Sequence, residues 1–381
     1  MGAKPASDPE KDFVPPTFTI KELRDSIPKH CFERDTLRSF SYVAYDLCGV
    51  AALAYAASFI HTLPAALRVP AWLLYWVCQG VVCTGVWVIA HECGHGAFSA
   101  NITVNNVTGW ILHSALLVPY YSWKYSHSAH HKNTGNMTRD TVFVPRTKTG
   151  ARMQGKPSTP AWITDSVFEE TPLFNMAMVV GQSLFGWPLY LYRSASGPKF
   201  ARGSSHFNPQ SALFRPEQFW NIVVSDVGLA LAAAALVYAC WVFSPAAVLC
   251  YYGVPYLMVN FWLVTITFLQ HTHTDLPHYN DDEWNFVRGA LSTVDRSYCR
   301  VLDVLLHHIA DTHVSHHLFS QMPHYHAEEA TRHIKKKLGD YYKYDDTNVF
   351  VALYRTMRHC RFVEDSGSIL FFRNASAPLR Q

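Results

Sequence analysis

Four stretches of this chain are almost continuously apolar, and they come in two pairs. The first pair covers residues 41–60 and 69–90, and the second covers residues 221–243 and 246–269. A helix needs about 20 apolar residues to cross a hydrocarbon core of roughly 30 Å. The pattern therefore predicts an all-α integral membrane protein in which four transmembrane helices form two hairpins.

Two other apolar stretches, residues 107–123 and 172–192, are shorter or are interrupted by Pro, Gly and polar side chains. If either crossed the membrane alone, the histidine-rich segments of the chain would fall on opposite faces. We therefore predict interfacial or re-entrant helices for both stretches. Residues 138–170 and 194–217 are rich in Pro, Gly, Ser and charge, which predicts cytosolic surface loops with short helices.

The N-terminal region is polar and carries several prolines, with no apolar run that would indicate a signal peptide. Thr19 and Glu22 have the spacing of a capping box, in which each side chain pairs with the backbone of the other residue. A short amphipathic helix is therefore predicted to begin near Thr19, within a tail that is otherwise partly disordered.

The distribution of basic residues indicates which side of the membrane holds the chain ends. Arg68 is the only Lys or Arg in the two turns within the hairpins, whereas residues 21–38 and 332–337 carry many. Because Lys and Arg are enriched in cytosolic loops, both termini are predicted to be cytosolic. The predicted division is a cytosolic N-terminal tail (residues 1–40), a membrane domain (41–372) and a C-terminal tail (373–381).

Composition supports the membrane assignment and excludes other classes. Hydrophobic residues make up 49% of the 381 residues and charged residues 16%, against about 25% charged in a soluble domain. The net charge of +3 is small and no basic stripe is interleaved with aromatics, so no nucleic acid is expected as a partner. The nine cysteines include no CxxC pair, so no disulfide framework is implied.

Three histidine clusters carry the candidate chemistry. Residues i, i+3 and i+4 of a helix lie on one face, so each cluster is expected to aim its imidazoles at a common point. Neutral imidazole is the commonest metal ligand among side chains. Eight ligands are too many for one tetrahedral zinc and suit two metal ions with three or four nitrogens each. The clusters, which predict a dinuclear metal site, are His91 and His95; His127, His130 and His131; and His313, His316 and His317.

A ninth ligand is expected just after the fourth apolar run, where His271 and His273 stand. We favour His271, because it lies at the end of a predicted helix, but the sequence leaves His273 open. His324 and His326 follow the third cluster, and such histidines are more often surface groups or supports of a ligand than ligands themselves.

Three kinds of metal chemistry compete for these residues. His91-Glu92-x-x-His95 matches the His-Glu-x-x-His zinc motif, but that motif leaves six further clustered histidines unexplained. Histidines on transmembrane helices could ligate haem in an electron carrier, but haem ligands usually come from facing helices deep in a bundle. A pair of irons beside apolar helices suits oxidation of a strong C–H bond in a lipid tail.

The three clusters, in this order and with these separations, resemble the histidine boxes of the membrane-bound fatty acid desaturases. The flanking segments Val118–Trp123, Val259–Leu263, Leu269–His273 and His317–His324 are most similar to fungal delta-12 (oleate) desaturases of the endoplasmic reticulum. The resemblance extends from about Phe18 to Phe372, nearly the whole chain.

This resemblance implies a non-haem di-iron enzyme that uses O2 and two electrons to convert phospholipid-bound oleoyl chains to linoleoyl chains. It implies a multi-pass protein of the endoplasmic reticulum membrane with a cytosolic, His-rich di-iron cap. No His-Pro-Gly-Gly motif of a fused haem domain is present, so cytochrome b5 and NADH-cytochrome b5 reductase are the expected electron donors. The implied metal ligands are His91, His95, His127, His130, His131, His271, His313, His316 and His317.

The resemblance leaves the outcome of the reaction open. The same boxes serve omega-3 desaturases, hydroxylases and acetylenases, and the fold does not decide between them. The third box begins with His313 rather than Gln, which argues against a front-end desaturase, and Gly96 stands where plant members commonly carry a further histidine. Chain length, acyl carrier and the formation of a homo-oligomer are also left open.

Overall fold

The computed structural model describes residues 13–150, 171–198, 200 and 203–374. Four predicted regions therefore lie partly outside the described residues. These are the first part of the N-terminal tail, most of the polar loop that ends at residue 170, residues 199, 201 and 202 of the loop 194–217, and most of the C-terminal tail.

Four helical segments are long and apolar enough to cross a membrane, and they comprise residues 36–62, 65–95, 216–242 and 245–271. The predicted membrane fold with four crossings is thereby confirmed. The segments extend beyond the apolar runs because polar residues cap them; the Asp35 carboxylate, for example, accepts hydrogen bonds from Leu37 N and Arg38 N.

In chain order the helices up to the second hairpin are α1 (Ile20–Asp25), α2 (Thr36–Ala57), α3 (Ala65–His95), α4 (Ile102–Ala115), α5 (Tyr120–Asn133), α6 (Pro172–Arg193) and α7 (Phe219–Val242).

The second hairpin and the region after it complete the fold. The fourth crossing consists of α8 (Pro245–Val248), a π-helical turn (Leu249–Gly253) and α9 (Val254–His271). Short helices follow, together with a two-stranded antiparallel sheet in which Pro277 pairs with Phe371, a small addition to the all-α expectation. These elements are β1 (Pro277–Tyr279), α10 (Phe286–Ala290), α11 (Arg300–Leu305), α12 (His313–Leu318), α13 (Ala327–Leu338), α14 (Val349–His359) and β2 (Ile369–Phe371).

Helix α3 is the centre of the bundle and packs against α2, α4 and α9. In the most apolar 18-residue stretch of α3, 61% is buried, compared with 17% in the corresponding stretches of α2 and α7. The outer helices instead expose large apolar side chains such as Leu47 and Trp241. Exposed apolar surface of this extent suits contact with lipid rather than water. The helix that ends in the first histidine cluster is therefore the one held most firmly by its neighbours.

A close approach of α3 to α9 depends on Gly80. A Cβ atom on this glycine would lie 2.2 Å from the Met258 Cβ, on a part of the side chain that cannot move away without the backbone. We expect Gly80→Ala to force the two helices apart and to destabilise the protein by about 1–3 kcal/mol. Thermal unfolding in detergent should show a lower midpoint. Gly181→Ala is the matched control, because nothing lies within 4 Å of its Cβ position, and an equal loss in both variants would contradict this packing.

Among the described residues, neither of the two other apolar stretches forms a helix that is both long and apolar enough to cross a membrane. Residues 107–123 do not form one helix, because the chain breaks between α4 and α5 at residues 116–119, where Leu117 adopts φ 55°. Residues 172–192 form α6, which packs against α9. Because of this break, α5 runs in a different direction from α4. The second cluster therefore lies beside the end of α3.

Residues 272–374, here called the cap, cover the ends of α3, α5 and α9. The predicted helix at Thr19 is present as α1, and its capping box with Glu22 is formed. Leu23 of α1, together with Ile27 and Cys31 after it, is buried in one apolar cluster with residues of α12 and α13 of the cap. The described part of the N-terminal tail is therefore packed as an extension of the cap.

Candidate metal centre

The first histidine cluster occupies the last turn of α3. Gly96 ends this helix in a left-handed conformation, with φ 74°, which glycine adopts without steric cost. His91 and His95 therefore stand one turn apart on the same face, and their Nε2 atoms are 3.2 Å apart. A histidine at position 96 would have to adopt the same left-handed backbone conformation. The helix end therefore favours glycine at this position.

The second cluster lies on α5 and the third on the short helix α12. Asp295 anchors helix α12, because its carboxylate accepts hydrogen bonds from Val314 N and from the Tyr342 hydroxyl. Burial raises the pKa of the Asp295 carboxyl to about 8. Removal of this carboxylate would leave the buried Val314 N and the half-buried Tyr342 hydroxyl without this acceptor, so Asp295 helps to fix the position of the third cluster.

The structure brings the nine predicted ligands together at one place but divides them into two groups. The donor atoms of each group lie within 4.8 Å of one another. The first group is His91, His95, His127, His131 and His316, and the second is His130, His271 and His317. His313 joins the second group, because its Nε2 lies 3.1 Å from the Nε2 of His271.

The division differs from the expectation that each cluster points at one place. In the second cluster His127 and His131, four residues apart, face one group, while His130 faces the other. In the third cluster His313 and His317 share a group, while His316 faces the opposite one. A pair at i and i+4 shares a helix face more closely than the residue between them. The second and third clusters thus each supply side chains to both groups.

The spacing of the ring nitrogens fits ligands around a cation. Two nitrogens bound to one metal at about 2.1 Å are roughly 3.0–3.4 Å apart, depending on the geometry. The Nε2 of His127 lies 3.0 Å from that of His91 and 3.1 Å from that of His131. In the second group the Nε2 of His130 lies 3.4 Å from that of His271.

The hydrogen bonds of the other ring nitrogens fix which nitrogen is free to bind a metal. The His130 Nδ1 donates to the Asp140 carboxylate at 2.8 Å, and the His313 Nδ1 donates to the Ile309 carbonyl oxygen at 3.1 Å. The Thr134 hydroxyl donates to the His130 carbonyl oxygen and accepts from the His317 Nδ1. All three imidazoles therefore present an Nε2 lone pair, the state that a metal ligand requires.

Burial favours the neutral form of His131, His316 and His317. Burial, followed by the nearby histidines, holds the pKa of His131, His316 and His317 well below the usual value. The Nε2 atoms of His316 and His317 are buried and have no hydrogen-bond partner among the described residues. Several buried lone pairs that face one another repel unless a cation lies between them. The residues present therefore fit two metal ions of the kind that imidazole binds.

Asp140 and Thr134 were not identified from the sequence as parts of the site. Asp140 is 1% exposed and also accepts hydrogen bonds from Val142 N and Phe143 N, so its carboxylate is fixed in place. A buried carboxylate that holds a ligating histidine is a recurrent feature of metal sites. The only sequence signal was an Asp shortly after the second cluster, in a loop whose path the hydropathy pattern does not predict.

The two candidates for the ninth ligand separate clearly in space. His271 is 4% exposed and lies among the second group. His273 is partly exposed, and its side chain faces away from the clusters, near Asp345. His324 is buried against Tyr42, and His326 lies beside His30, so neither joins the two groups.

Aromatic rings enclose the centre on the membrane side. The Trp87 ring stacks on His91, with 5.5 Å between ring centroids, and the Trp123 ring stacks on His127 at 4.5 Å. Both indoles are buried. On the other side a cavity of ≈ 470 Å³ is lined by His95, His131 and His317 and also by Arg24, Arg34 and Lys132. The centre is thus covered by indole rings toward the bundle and borders a cavity lined by cationic side chains.

Comparison with known proteins agrees with this geometry. The sequence profile of the family described as fatty acid desaturase matches residues 70–348, and a profile described as a domain of unknown function matches residues 4–55. A Delta(12) fatty acid desaturase of Mortierella isabellina is 52% identical over 97% of this chain and 94% of its own length. An omega-6 fatty acid desaturase, endoplasmic reticulum isozyme 1, of Glycine max is 47% identical over 94% of this chain and 91% of its own length.

The oleate hydroxylase FAH12 of Claviceps purpurea is 45% identical over 95% of this chain and 82% of its own length. The resemblance that the three histidine clusters indicated is thus confirmed by a profile match over more than half of the chain and by relatives that align along nearly all of it. The chain belongs to the fatty acid desaturase family.

Proposed function

We propose that this protein converts oleoyl chains of phospholipid to linoleoyl chains by introducing a cis double bond at the delta-12 position. The chain is an acyl-lipid desaturase, an oxidoreductase of the family to which it belongs. The delta-12 position is supported by the names of the Mortierella and Glycine max relatives, which align over nearly the full chain. The observation that carries the proposal is the convergence of the histidine clusters into two groups at the end of an apolar bundle.

We assign one metal ion to each group. His91, His95, His127, His131 and His316 would hold the first, and His130, His271, His313 and His317 would hold the second. Iron is the proposed metal, because nitrogen-rich shells suit a redox-active first-row ion. When bound, the iron pair supplies the activation of O2 that removes two vicinal hydrogens from the acyl chain.

The protein's own residues prepare the site for this chemistry. Asp140 and Thr134 hold His130 and His317 in the tautomer that leaves Nε2 free. Trp87 and Trp123 cover the histidines on the bundle side, which excludes water from the reacting carbon. The apolar surfaces of the crossings supply the environment in which a lipid tail can approach from the bilayer.

The electron source and the cellular location of the protein are further parts of the proposal. We propose cytochrome b5, with NADH-cytochrome b5 reductase, as the electron source. The cavity lined by Arg24, Arg34 and Lys132 would favour a carrier with an acidic surface. The endoplasmic reticulum is supported by the name of the Glycine max relative. The distribution of basic residues supports cytosolic termini and a cytosolic cap.

The fatty acid profile of a yeast that makes oleate but no linoleate tests the function. Expression of this chain should produce linoleate, and a strain with the empty vector should not. Appearance of alpha-linolenate only when linoleate is supplied would assign the omega-3 reaction instead. Ricinoleate, the 12-hydroxy product, would assign the hydroxylase activity named for the Claviceps purpurea relative.

A further inference from the structure

Four side chains with metal-binding atoms meet at a second place, on the outer side of the cap. They are His30, Cys31, His326 and Glu329, and their donor atoms lie within 4.8 Å of one another. His30 and Cys31 belong to a 3₁₀ turn of the N-terminal segment, His326 ends a 3₁₀ turn of the cap, and Glu329 lies in the first turn of α13. None of the four belongs to the two histidine groups of the centre.

The distances within this cluster fit one tetrahedral ion. The Cys31 Sγ lies 3.7 Å from the His30 Nε2, and the His30 Nε2 lies 3.0 Å from the Glu329 Oε2. On a tetrahedral zinc with bonds of about 2.0 Å to nitrogen or oxygen and about 2.3 Å to sulfur, these separations are roughly 3.5 and 3.3 Å. The His326 ring lies 5.6 Å from the His30 ring, centroid to centroid, and meets it edge to face.

Simpler explanations cover only part of the cluster. Hydrogen bonds that join His30 to Glu329 and to the Cys31 thiol would explain three side chains but not His326. A buried cysteine that acts as a small apolar residue would explain Cys31, which is packed among apolar neighbours of the cap. Neither explanation brings an imidazole, a second imidazole, a thiol and a carboxylate to one point. Thiolate, imidazole and carboxylate are all zinc ligands, and a structural zinc site is closed by four protein ligands.

We propose that His30, Cys31, His326 and Glu329 bind a structural zinc ion that fastens the N-terminal segment to α13. The ion takes the Cys31 sulfur as thiolate, and the thiol proton is released to solvent. The proposed cytosolic location keeps the thiol reduced and available, because disulfides are rare in that compartment.

The site would reinforce contacts that already join the same two parts of the chain. The Arg34 side chain donates to the backbone and side-chain oxygens of Gln321, and Asp35 N donates to the Tyr325 hydroxyl. Phe32 and Arg34 also line the cavity that reaches His95 and His131. A zinc ion here would therefore hold one wall of that cavity without touching the metal centre.

Cobalt(II) added to the full-length protein in detergent, after zinc is removed with a chelator, tests the proposal. A thiolate on cobalt gives a strong sulfur-to-metal charge-transfer absorption, whereas the two histidine groups offer no sulfur ligand. Wild-type protein should show this band at the intensity of one thiolate-bound cobalt ion per chain, in addition to any cobalt that the two histidine groups bind. Cys31→Ala should abolish it, and His326→Ala and Glu329→Gln should each weaken cobalt binding about 10-fold or more.

Matched controls separate this site from its surroundings. Cys299→Ala removes an exposed cysteine, and Glu328→Gln removes the neighbouring carboxylate of α13; both should leave the band unchanged. His326→Ala keeps the buried Cys31 in place, so its effect does not depend on the packing of that residue. Absence of the band in wild type, or its survival in Cys31→Ala, would overturn the proposal. Iron content and linoleate formation report separately on the desaturase centre.

Discussion

A His316→Ala variant is expected to make no detectable linoleate while it accumulates in the membrane at the level of the wild type. His316 is the one residue of the third cluster that faces the first group, and its Nε2 is buried without a hydrogen-bond partner among the described residues. Without this imidazole, the ion assigned to the first group would lack one of its ligands. The fold should persist, because the crossings are held by apolar packing that does not involve this imidazole.

The measurement is the linoleate content of the oleate-producing yeast, with membrane protein quantified by immunoblot. His359→Ala is the matched control, because His359 is exposed at the end of α14. This variant should make as much linoleate as the wild type. Linoleate formation by His316→Ala at a level comparable to the control would refute the assignment of His316 as a ligand.

Asp140→Ala is expected to lower linoleate formation and iron content together, each by about 10- to 100-fold. The Asp140 carboxylate accepts from the His130 Nδ1 with both oxygens, at 2.8 and 2.9 Å. Without it the imidazole can rotate or change tautomer, so that Nε2 no longer reliably presents its lone pair. The effect acts through His130, and Asp140 is therefore a positioning residue.

Asp140→Asn distinguishes positioning from general loss of structure. The amide oxygen can still accept from the His130 Nδ1 and from Val142 N, so this variant should recover part of both the iron and the activity. Asp340→Ala, at an exposed position, serves as the control and should behave as the wild type. Full iron content in Asp140→Ala would show that the carboxylate does not support the ligand.

The membrane bundle could be predicted from the sequence because its signal is long and local. Runs of about 20 apolar residues leave few structures other than a spanning helix, and all four predicted crossings have a matching helical segment. The capping box at Thr19 was equally local and is formed. The spacing of the histidines likewise predicted helices that carry several imidazoles, but the expectation that each cluster points at one place was wrong.

The features that could not be predicted depend on contacts between distant parts of the chain. The assignment of His130 and His316 to opposite groups follows from how α5 and α12 meet, which no spacing within either helix reveals. Asp140 reaches His130 through a loop of irregular path. The N-terminal segment was expected to be a tail, yet Leu23 and Cys31 are buried against the cap. Their burial was not predicted, because the apolar pattern around them is too short to be recognised.

The metal content of purified, active protein tests the central claim most directly. We predict about two iron ions per chain, bound by the two histidine groups, without the Soret band of haem. The iron should fall in His316→Ala and remain in His359→Ala. Protein that makes linoleate without iron, or that carries haem or zinc in the two groups in place of iron, would contradict this account.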